Sequence, residues 1–519
     1  MARGRLWLTL GLEGGEGGEG PVEDVLEKQG RQRVLVGDVD EFLPCIDDLV
    51  TLDLVGYPNA ALLVARVLQR SLRSPEHALG LASSAHETFA AAGDVEGLGA
   101  AETVLGDLAW QRGNVAGADT HWSAAMGHEA AGSSSAGLLT LRAAADFLTI
   151  GDVDRSMPRV HEAYAATVLD GTEVDEAMAT LLGGLLVMDT GDLDRASDAL
   201  QRANDLFREI RSEPDAAMWP LVPLGLGEVA ARRGEPIEAR TLFDQGLEMA
   251  TRMGRPGLAI AARAMVPLHL SGEDPVGALA QATEIVAVAD DRDAHWFARQ
   301  LADRALAEAY LANGEFDAAA CQASNCVARA GNPLLRAKCL MIAGRIDLAR
   351  DNTANAVVAL NEAATTFLSR GTSLRAVEAL LALATADPER APEYLGLAFD
   401  RTGPDVAFQR LWAQRPPFLV TLGPADDCRF NLDHQELRLG DKGEQLVAEA
   451  VRRGEAGLHW EQAAAALWPE DTNHDRIKSR LTSLTSLVRG RLGSEGWRLR
   501  RDGPLFVFVA FGAQIATKP

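Results

Sequence analysis

The feature that most constrains the fold is a turn motif that recurs about every 40 residues between residues 59 and 399. Each motif is a glycine followed by an acidic or amide residue, and it separates two amphipathic stretches of roughly 15 residues. Glycine can adopt the left-handed conformation that ends a helix, and Asp, Asn or Glu favours the start of the next one. The motifs are Gly113-Asn114, Gly151-Asp152, Gly191-Asp192, Gly234-Glu235, Gly272-Glu273, Gly314-Glu315 and the degenerate Asp351-Asn352, at spacings of 38, 40, 43, 38, 42 and 37 residues. The pattern predicts an array of helix pairs.

Several pairs carry an alanine just inside the second helix, where a small side chain lets two helices approach closely. These positions are Ala196, Ala239, Ala278 and Ala318. Helical-repeat arrays bury a core between neighbouring repeats and expose a long concave face. The array is therefore predicted to be a binding platform for an unknown protein, peptide or small-molecule effector.

Two segments carry a resemblance to a known repeat. "TGDLDRASDALQRANDLF" and "NGEFDAAACQASNCVA" resemble the second helix of the tetratricopeptide repeat, although the period here exceeds the standard length of about 34 residues. The resemblance covers about 340 residues and implies a tetratricopeptide-like α-solenoid.

Composition agrees with packed helices. Apolar residues make up 47% of the chain and charged residues 24%, but aromatic residues only 5%, which favours helices with small contact residues over a β-sandwich or barrel. No apolar run approaches the ~20 residues that a membrane span needs. The expectation is a cytoplasmic protein with no membrane contact.

Charge is distributed unevenly along the chain. The net charge is −24, yet from Cys428 to the end 14 Lys/Arg stand against 12 Asp/Glu, so the first 427 residues carry −26. An acidic body with a neutral-to-basic tail directs the search for function to the C-terminal residues.

The C-terminal residues change from helical to mixed patterns. Short alternating segments predict strands at Phe418–Gly423, Cys428–Asp433 and Glu436–Leu439. Helices are predicted at Glu444–Arg453, Trp460–Leu467 and Asp475–Leu492, before a β-hairpin that turns at Asp502-Gly503. Strands, three helices and a terminal hairpin are typical of a small α+β winged helix-turn-helix domain.

The segment "LHWEQAAAALWPEDTNHDRIKSRLTSLTSLVRGRLGSEGWRLRRDGPLFVF" resembles the OmpR/PhoB-type effector domain. Its landmarks are "ALWP" at Ala466–Pro469, which closes the second helix, the long third helix ending in "RGRLG", and the opening strands. The resemblance is closest to the form found in bacterial regulators that also carry tetratricopeptide-like domains. It implies a transcriptional regulator that binds double-stranded DNA.

Basic residues are concentrated in the third helix and the hairpin. Between Asn473 and Arg501, eight Lys/Arg oppose two acids, and helical spacing predicts a buried face formed by Ile477, Leu481, Leu484 and Val488. The residues predicted to face the major groove are Lys478, Thr482, Thr485, Ser486 and Arg489, with Arg498, Arg500 and Arg501 on the wing contacting phosphate or the minor groove. Arg476, Arg480 and Arg491 complete the candidate DNA-binding set.

Motifs for catalysis are missing from the sequence. It contains no G-x-x-x-x-G-K-[ST] phosphate loop and no H-E-x-x-H, and Gly132–Gly137 does not fit G-x-S-x-G. The five cysteines suit neither a disulfide framework nor a zinc site. The chain is predicted not to be an enzyme, with no catalytic residue, cofactor or metal.

These patterns predict four segments: residues 1–58, of unclear fold with a Gly/Glu-rich linker; the array, 59–400; a linker, 401–417; and the winged-helix domain, 418–519. The acidic body suggests autoinhibition by competition with DNA for the basic helix. Three alternatives stay open, namely a non-catalytic scaffold whose winged helix mediates protein contacts, an adaptor subunit that regulates an enzyme, and a basic helix that is merely solvated. Homo-oligomerisation also stays open.

Overall fold

The computed structural model describes residues 22–36, 39–71, 74–112, 114–128, 137, 139–144, 152–170, 173–210, 218–291, 296–402, 406–413, 415, 418–422, 428–432, 435–510 and 513–517. The chain divides into two compact units, Met1–Cys339 and Leu340–Pro519. Both carry helices, and the small sheets lie in the second unit. The predicted fold class, mostly helical repeats followed by a small α+β region, is confirmed.

Most consecutive helices of the first unit pack side by side. They are Val22–Val36 (α1), Ile46–Leu49 (α2), Pro58–Ser71 (α3), Pro75–Ala92 (α4), Val95–Gln111 (α5), Val115–Gly127 (α6), Val153–Asp170 (α7), Glu173–Thr190 (α8), Leu193–Glu209 (α9), Leu221–Arg233 (α10), Pro236–Arg252 (α11), Pro256–Leu270 (α12), Pro275–Asp291 (α13), Trp296–Ala312 (α14), Phe316–Arg329 (α15) and Pro333–Ala349 (α16). The last of these continues into the second unit.

The predicted turn chemistry is confirmed at four motifs. Gly191, Gly234 and Gly314 have φ of 96°, 85° and 78°, and the degenerate motif places Asp351 at φ 58°. This left-handed conformation ends the first helix of each pair because it breaks the helical backbone at little cost to glycine. Gly113 and Gly151 lie outside the described residues.

One motif ends its helix differently. Around Gly272 the chain turns through Ser271–Glu273, and the carboxylate of Asp274 accepts a hydrogen bond of 3.0 Å from the Gly277 amide. Pro275 suits the first position of the new helix because its amide needs no partner there. Relative to its motif, this helix therefore starts one residue later than the helices that follow Gly191-Asp192, Gly234-Glu235 and Gly314-Glu315.

The predicted alanine contacts are confirmed, with one correction. Ala196, Ala239 and Ala278 are buried. Each follows its N-terminal capping position by four residues, and the same register after Glu315 leads to Ala319, which is fully buried, rather than to the predicted Ala318. Ala318 itself is half-buried.

Close helix approach also depends on glycines in the first helix of a pair. A Cβ added at Gly227 would lie 2.5 Å from the ring of Phe243, and one at Gly184 would lie 3.0 Å from Leu200. In both cases the large side chain comes sixteen residues later, on the facing helix. At these two helix contacts a small residue therefore faces a large one.

The N-terminal residues join the same packing. The Glu27 carboxylate of α1 accepts hydrogen bonds from the Asn59 amide group at 2.7 Å and the Ala60 backbone amide at 2.9 Å. These contacts satisfy free amides at the start of α3. Residues 22–36, whose fold the sequence left unclear, thus form a helix packed against α3.

Helices of the second unit after α16 are Thr353–Ser369 (α17), Ser373–Ala386 (α18), Ala391–Arg401 (α19), Val406–Ala413 (α20), Asp441–Arg453 (α21), Trp460–Leu467 (α22) and His474–Arg491 (α23). The strands are Phe418–Leu422 (β1), Cys428–Leu432 (β2), Gln435–Leu437 (β3), Leu458–His459 (β4), Leu499–Asp502 (β5), Leu505–Phe508 (β6) and Ala513–Thr517 (β7). One sheet has the order β3-β2-β1-β7, with β7 parallel to β1, and the other has the order β4-β6-β5. Throughout the described residues, every helix is too short or too polar to cross a membrane.

The elements predicted after residue 418 are present with shifts of a few residues at their ends. Gly503 has φ 55° at the predicted hairpin turn, and α22 ends at Leu467 as "ALWP" indicated. Strands β4 and β7 were not predicted, and α20 lies in the segment predicted as a linker.

Candidate nucleic-acid interface

Helix α23 is positioned by one apolar face and a capped start. Ile477, Leu481 and Val488 are buried in the core of the C-terminal region, and Leu484 packs partly buried against it. The Asn473 side chain accepts a hydrogen bond of 3.0 Å from the Arg476 amide and so caps the helix. The predicted buried face is confirmed, and the rest of the helix surface carries the candidate residues.

Thr485 does not face outward as predicted. It is 6% exposed, and its hydroxyl donates a hydrogen bond of 2.7 Å to the Leu481 carbonyl. It lies four residues after Leu481, so it shares that residue's side of the helix. The local hydrogen bond satisfies the hydroxyl and lets the residue lie at the edge of the core.

Arg476 and Arg480 are paired with a carboxylate of the same region. Asp471, in the turn before α23, accepts hydrogen bonds from Arg476 at 2.5 Å and from Arg480 at 2.8 Å. The Arg476 hydrogen bond is the main reason that the pKa of Asp471 lies below its usual value. The carboxylate stays ionised, so it cancels part of the positive charge counted from the sequence.

Arg498 is a core residue and not a surface cation, which corrects the prediction for this position. It is 1% exposed, its Nε is 2.5 Å from the Glu495 carboxylate, and it donates to the Val509 carbonyl at 3.0 Å. Its guanidinium also lies over the rings of Phe418 and Trp497. Arg498 is the last residue of a 3-10 turn, Gly493–Arg498, that precedes β5 and buries its side chain. A count of basic residues along the sequence does not show which of them are buried.

Arg500 is held by α19. Its Nη1 is 2.5 Å from the Asp400 carboxylate, and its Nη2 donates to the Gly396 carbonyl at 3.1 Å. The adjacent Arg501 is exposed, with Nη1 3.5 Å from the Thr482 hydroxyl of α23. Successive residues of β5 thus point their arginines to different neighbours.

Four candidate cations make no ion pair with a carboxylate within the described parts of the chain: Lys478, Arg489, Arg491 and Arg501. Arg489 donates to the Leu499 carbonyl at 2.8 Å, and burial, followed by the charge of Arg500, lowers its pKa. Arginine remains charged at neutral pH even so. These four groups keep their charge available for an anionic partner.

Three of these cations lie around one stripe of α23. Lys478, Thr482 and Arg489 fall on one side of the helix at spacings of four and seven residues, and Arg501 reaches the same stripe through Thr482. Ser486, one turn after Thr482, is also exposed. Arg491 lies on another side, where it donates to the Leu439 carbonyl at 2.7 Å. One edge of α23 therefore carries both hydroxyl groups and cations, and Arg501 of the hairpin lies beside it.

Sequence reasoning missed the groups that hold the cations in place. Asp471 and Asp400 are the carboxylates described above, and the Trp460 ring lies 5.1 Å from the Lys478 ammonium. Asp471 and Trp460 stand within twenty residues of their partners, so a local scan for acidic and aromatic neighbours could have found them. Asp400 is 100 residues from Arg500, and only the tertiary structure brings them together.

Among known proteins, similarity to this chain was found only in solved structures. No family model matches the chain, and no curated protein matches it significantly. A Rap protein complexed with competence and sporulation factor is similar over 63% of this chain and 90% of its own, at 13% identity and TM-score 0.49. The apo quorum sensor NprR from B. thuringiensis is similar over 73% and 99%, at 13% identity and TM-score 0.37.

A third similar structure is a signal transduction ATPase with a tetratricopeptide repeat sensor from Pyrococcus horikoshii. It covers 93% of this chain and 69% of its own, at 10% identity and TM-score 0.33. These values define no family for the chain.

Proposed function

We propose that this protein is a transcriptional regulator whose C-terminal region is an OmpR/PhoB-type winged helix-turn-helix domain that contacts double-stranded DNA through α23 and the β5–β6 hairpin. In this proposal α23 enters the major groove and the hairpin follows the backbone. Ser and Thr hydroxyls meet base edges, and the cations contact phosphates. The protein has no catalytic role in this proposal.

The observation that carries the proposal is the set of unpaired cations on one edge of α23 and on the hairpin. Lys478, Arg489 and Arg501 lack carboxylate partners among the described residues, in a chain whose net charge is −24. A scaffold has no need to keep such charges free in an acidic protein. DNA binding uses them directly, because each phosphate contact releases counterions.

The test is fluorescence anisotropy of the full chain with random duplex DNA over a salt series. Three to four phosphate contacts give a plot of log K against log salt with a slope of about −3 to −4. Arg501→Ala is expected to flatten the slope by about one unit. Arg453→Ala is the matched control, because Arg453 is an exposed arginine on α21 that pairs with Glu449 and lies outside the stripe.

Binding with the expected slope supports the regulator. The absence of binding at low salt would sink it and favour the scaffold alternative, in which the same region contacts protein. Equal slopes for Arg501→Ala and Arg453→Ala would show that DNA contacts the chain elsewhere.

The repeat array is the sensor or interaction platform in this proposal. Its support is the side-by-side packing of helices within the first unit, an arrangement that in helical-repeat arrays leaves a face that a protein, peptide or small molecule could occupy. An effector of this kind is expected to alter the DNA affinity of the full chain. DNA affinity that is the same with and without every effector that binds the array would contradict the coupling.

A further inference from the structure

Arg500 on the hairpin contacts the C-terminal half of α19. The Asp400 carboxylate lies 2.5 Å from Nη1, the Gly396 carbonyl lies 3.1 Å from Nη2, and the Phe399 ring centre lies 5.0 Å from the guanidinium carbon. Gly396 and Asp400 are one helical turn apart, so they present their oxygens on the same side of α19. The negative end of the helix dipole adds to this attraction for a cation.

Arg489 of α23 is the second cation at this place. Its Nε donates a hydrogen bond of 2.8 Å to the carbonyl of Leu499, the residue before Arg500, so both arginines lie at this part of β5. Burial, followed by the charge of Arg500, lowers the pKa of Arg489. Asp400 is the carboxylate that pairs with Arg500, and the described residues place no carboxylate in an ion pair with Arg489. Two positive charges are thus balanced by one negative charge from the chain itself.

We infer that Asp400 occupies the position of a DNA backbone phosphate beside Arg489 and Arg500, and that it weakens DNA binding until the phosphate displaces it. A carboxylate and a phosphodiester each carry one negative charge and accept hydrogen bonds from a guanidinium in the same way. The inference rests on the proposed function, since it concerns the same DNA-binding surface. It adds a local restraint supplied by one residue of α19.

Exposure sets the size of this restraint. The side chain of Arg500 is 32% exposed and that of Asp400 is 54% exposed, so water and salt screen the pair. Exposed ion pairs contribute little to stability, and a phosphate can therefore replace the carboxylate at low cost. Removing the carboxylate is expected to tighten DNA binding by about two- to five-fold rather than to switch it on.

The experiment compares Asp400→Asn with Glu393→Gln in the full chain, using random duplex DNA and anisotropy over a salt series. Glu393 lies on the same helix, is also 54% exposed and pairs with Arg390, so its substitution removes the same charge away from the hairpin. We expect Asp400→Asn to bind about two- to five-fold tighter, with a salt slope steeper by up to about one unit. Glu393→Gln is expected to bind like the unmodified chain.

A second background shows whether Arg500 mediates the gain. In the Arg500→Ala variant, adding Asp400→Asn is expected not to tighten DNA binding. In the unmodified background, Asp400→Ser is expected to tighten DNA binding as Asp400→Asn does. A gain that persists in Arg500→Ala, or equal affinities for Asp400→Asn and Glu393→Gln, would overturn the inference and leave the proposed function standing. If no variant binds DNA at low salt, the proposed function and the inference fall together.

Discussion

At the residue scale, the arginine just before β5 and an arginine within it are expected to differ, the first serving stability and the second binding. Arg498→Ala should lower the free energy of unfolding by about 3 kcal/mol, because it leaves the buried Glu495 carboxylate with one fewer partner. Glu495 keeps its ion pair with Arg415, which limits the loss. Arg501→Ala, at an exposed site, should change stability by less than about 0.5 kcal/mol. Urea unfolding measures both, and equal losses would contradict the assignment of Arg498 to the core.

The ion pairs of Asp471 predict a pH dependence at the same scale. Hydrogen bonding to Arg476 lowers the pKa of Asp471 in the folded chain below the value of about 3.9 expected when unfolded. The stabilisation is therefore complete above pH 3.9 and is lost as pH falls through the lower folded pKa. The stability difference between the unmodified chain and Asp471→Asn should shrink over that acid range. An NMR titration of the Asp471 carboxyl with a midpoint at or above about 3.9 would rule this out.

At the element scale, helix contacts in the array depend on glycines that face large side chains. Gly227→Ala is expected to destabilise the chain by about 1–3 kcal/mol, because the new Cβ would lie 2.5 Å from the Phe243 ring in a packed interior. Gly80→Ala is the control, since Gly80 lies in the exposed middle of α4 with nothing near the added Cβ. It should gain about 0.5–1 kcal/mol from helix propensity. Thermal unfolding would contradict the argument if both substitutions changed stability in the same direction.

Much of the element structure could be predicted because its causes are local. The left-handed Gly191 and Gly234, the hairpin turn at Gly503 and the buried face of α23 all follow from neighbouring residues. Strand β7 could not be predicted, because it forms only by pairing with β1, nearly 100 residues earlier. At the candidate site, the residue types and the stripe on α23 were accessible from sequence. The inward turn of Arg498 and the contact of Arg500 with α19 were not, because tertiary packing decides them.

At the scale of the whole molecule, the least predictable contact joins residues 186 positions apart within the first unit. The Trp296 indole at the start of α14 donates a hydrogen bond of 2.8 Å to the Trp110 carbonyl near the end of α5. The two rings meet edge to face at 6.3 Å, beside Trp122. The last carbonyls of a helix lack partners within it, so the indole satisfies one that would otherwise need water. The array is therefore held by a contact between distant repeats as well as by stacking of neighbours.

Trp296→Ala is expected to destabilise the first unit by about 1–3 kcal/mol, less than for a fully buried tryptophan because Trp296 is half-buried. Hydrogen exchange should show lost protection in both α5 and α14, since each loses a partner. Trp296→Phe keeps a ring but loses the N–H donor, so it is expected to lower the free energy of unfolding by about 1 kcal/mol. Trp219→Phe is the control, because its indole donates at 2.9 Å to Asn204, only 15 residues away. Lost protection in α14 alone after Trp296→Ala would show that stacking of adjacent repeats suffices and that the distant contact does not couple them.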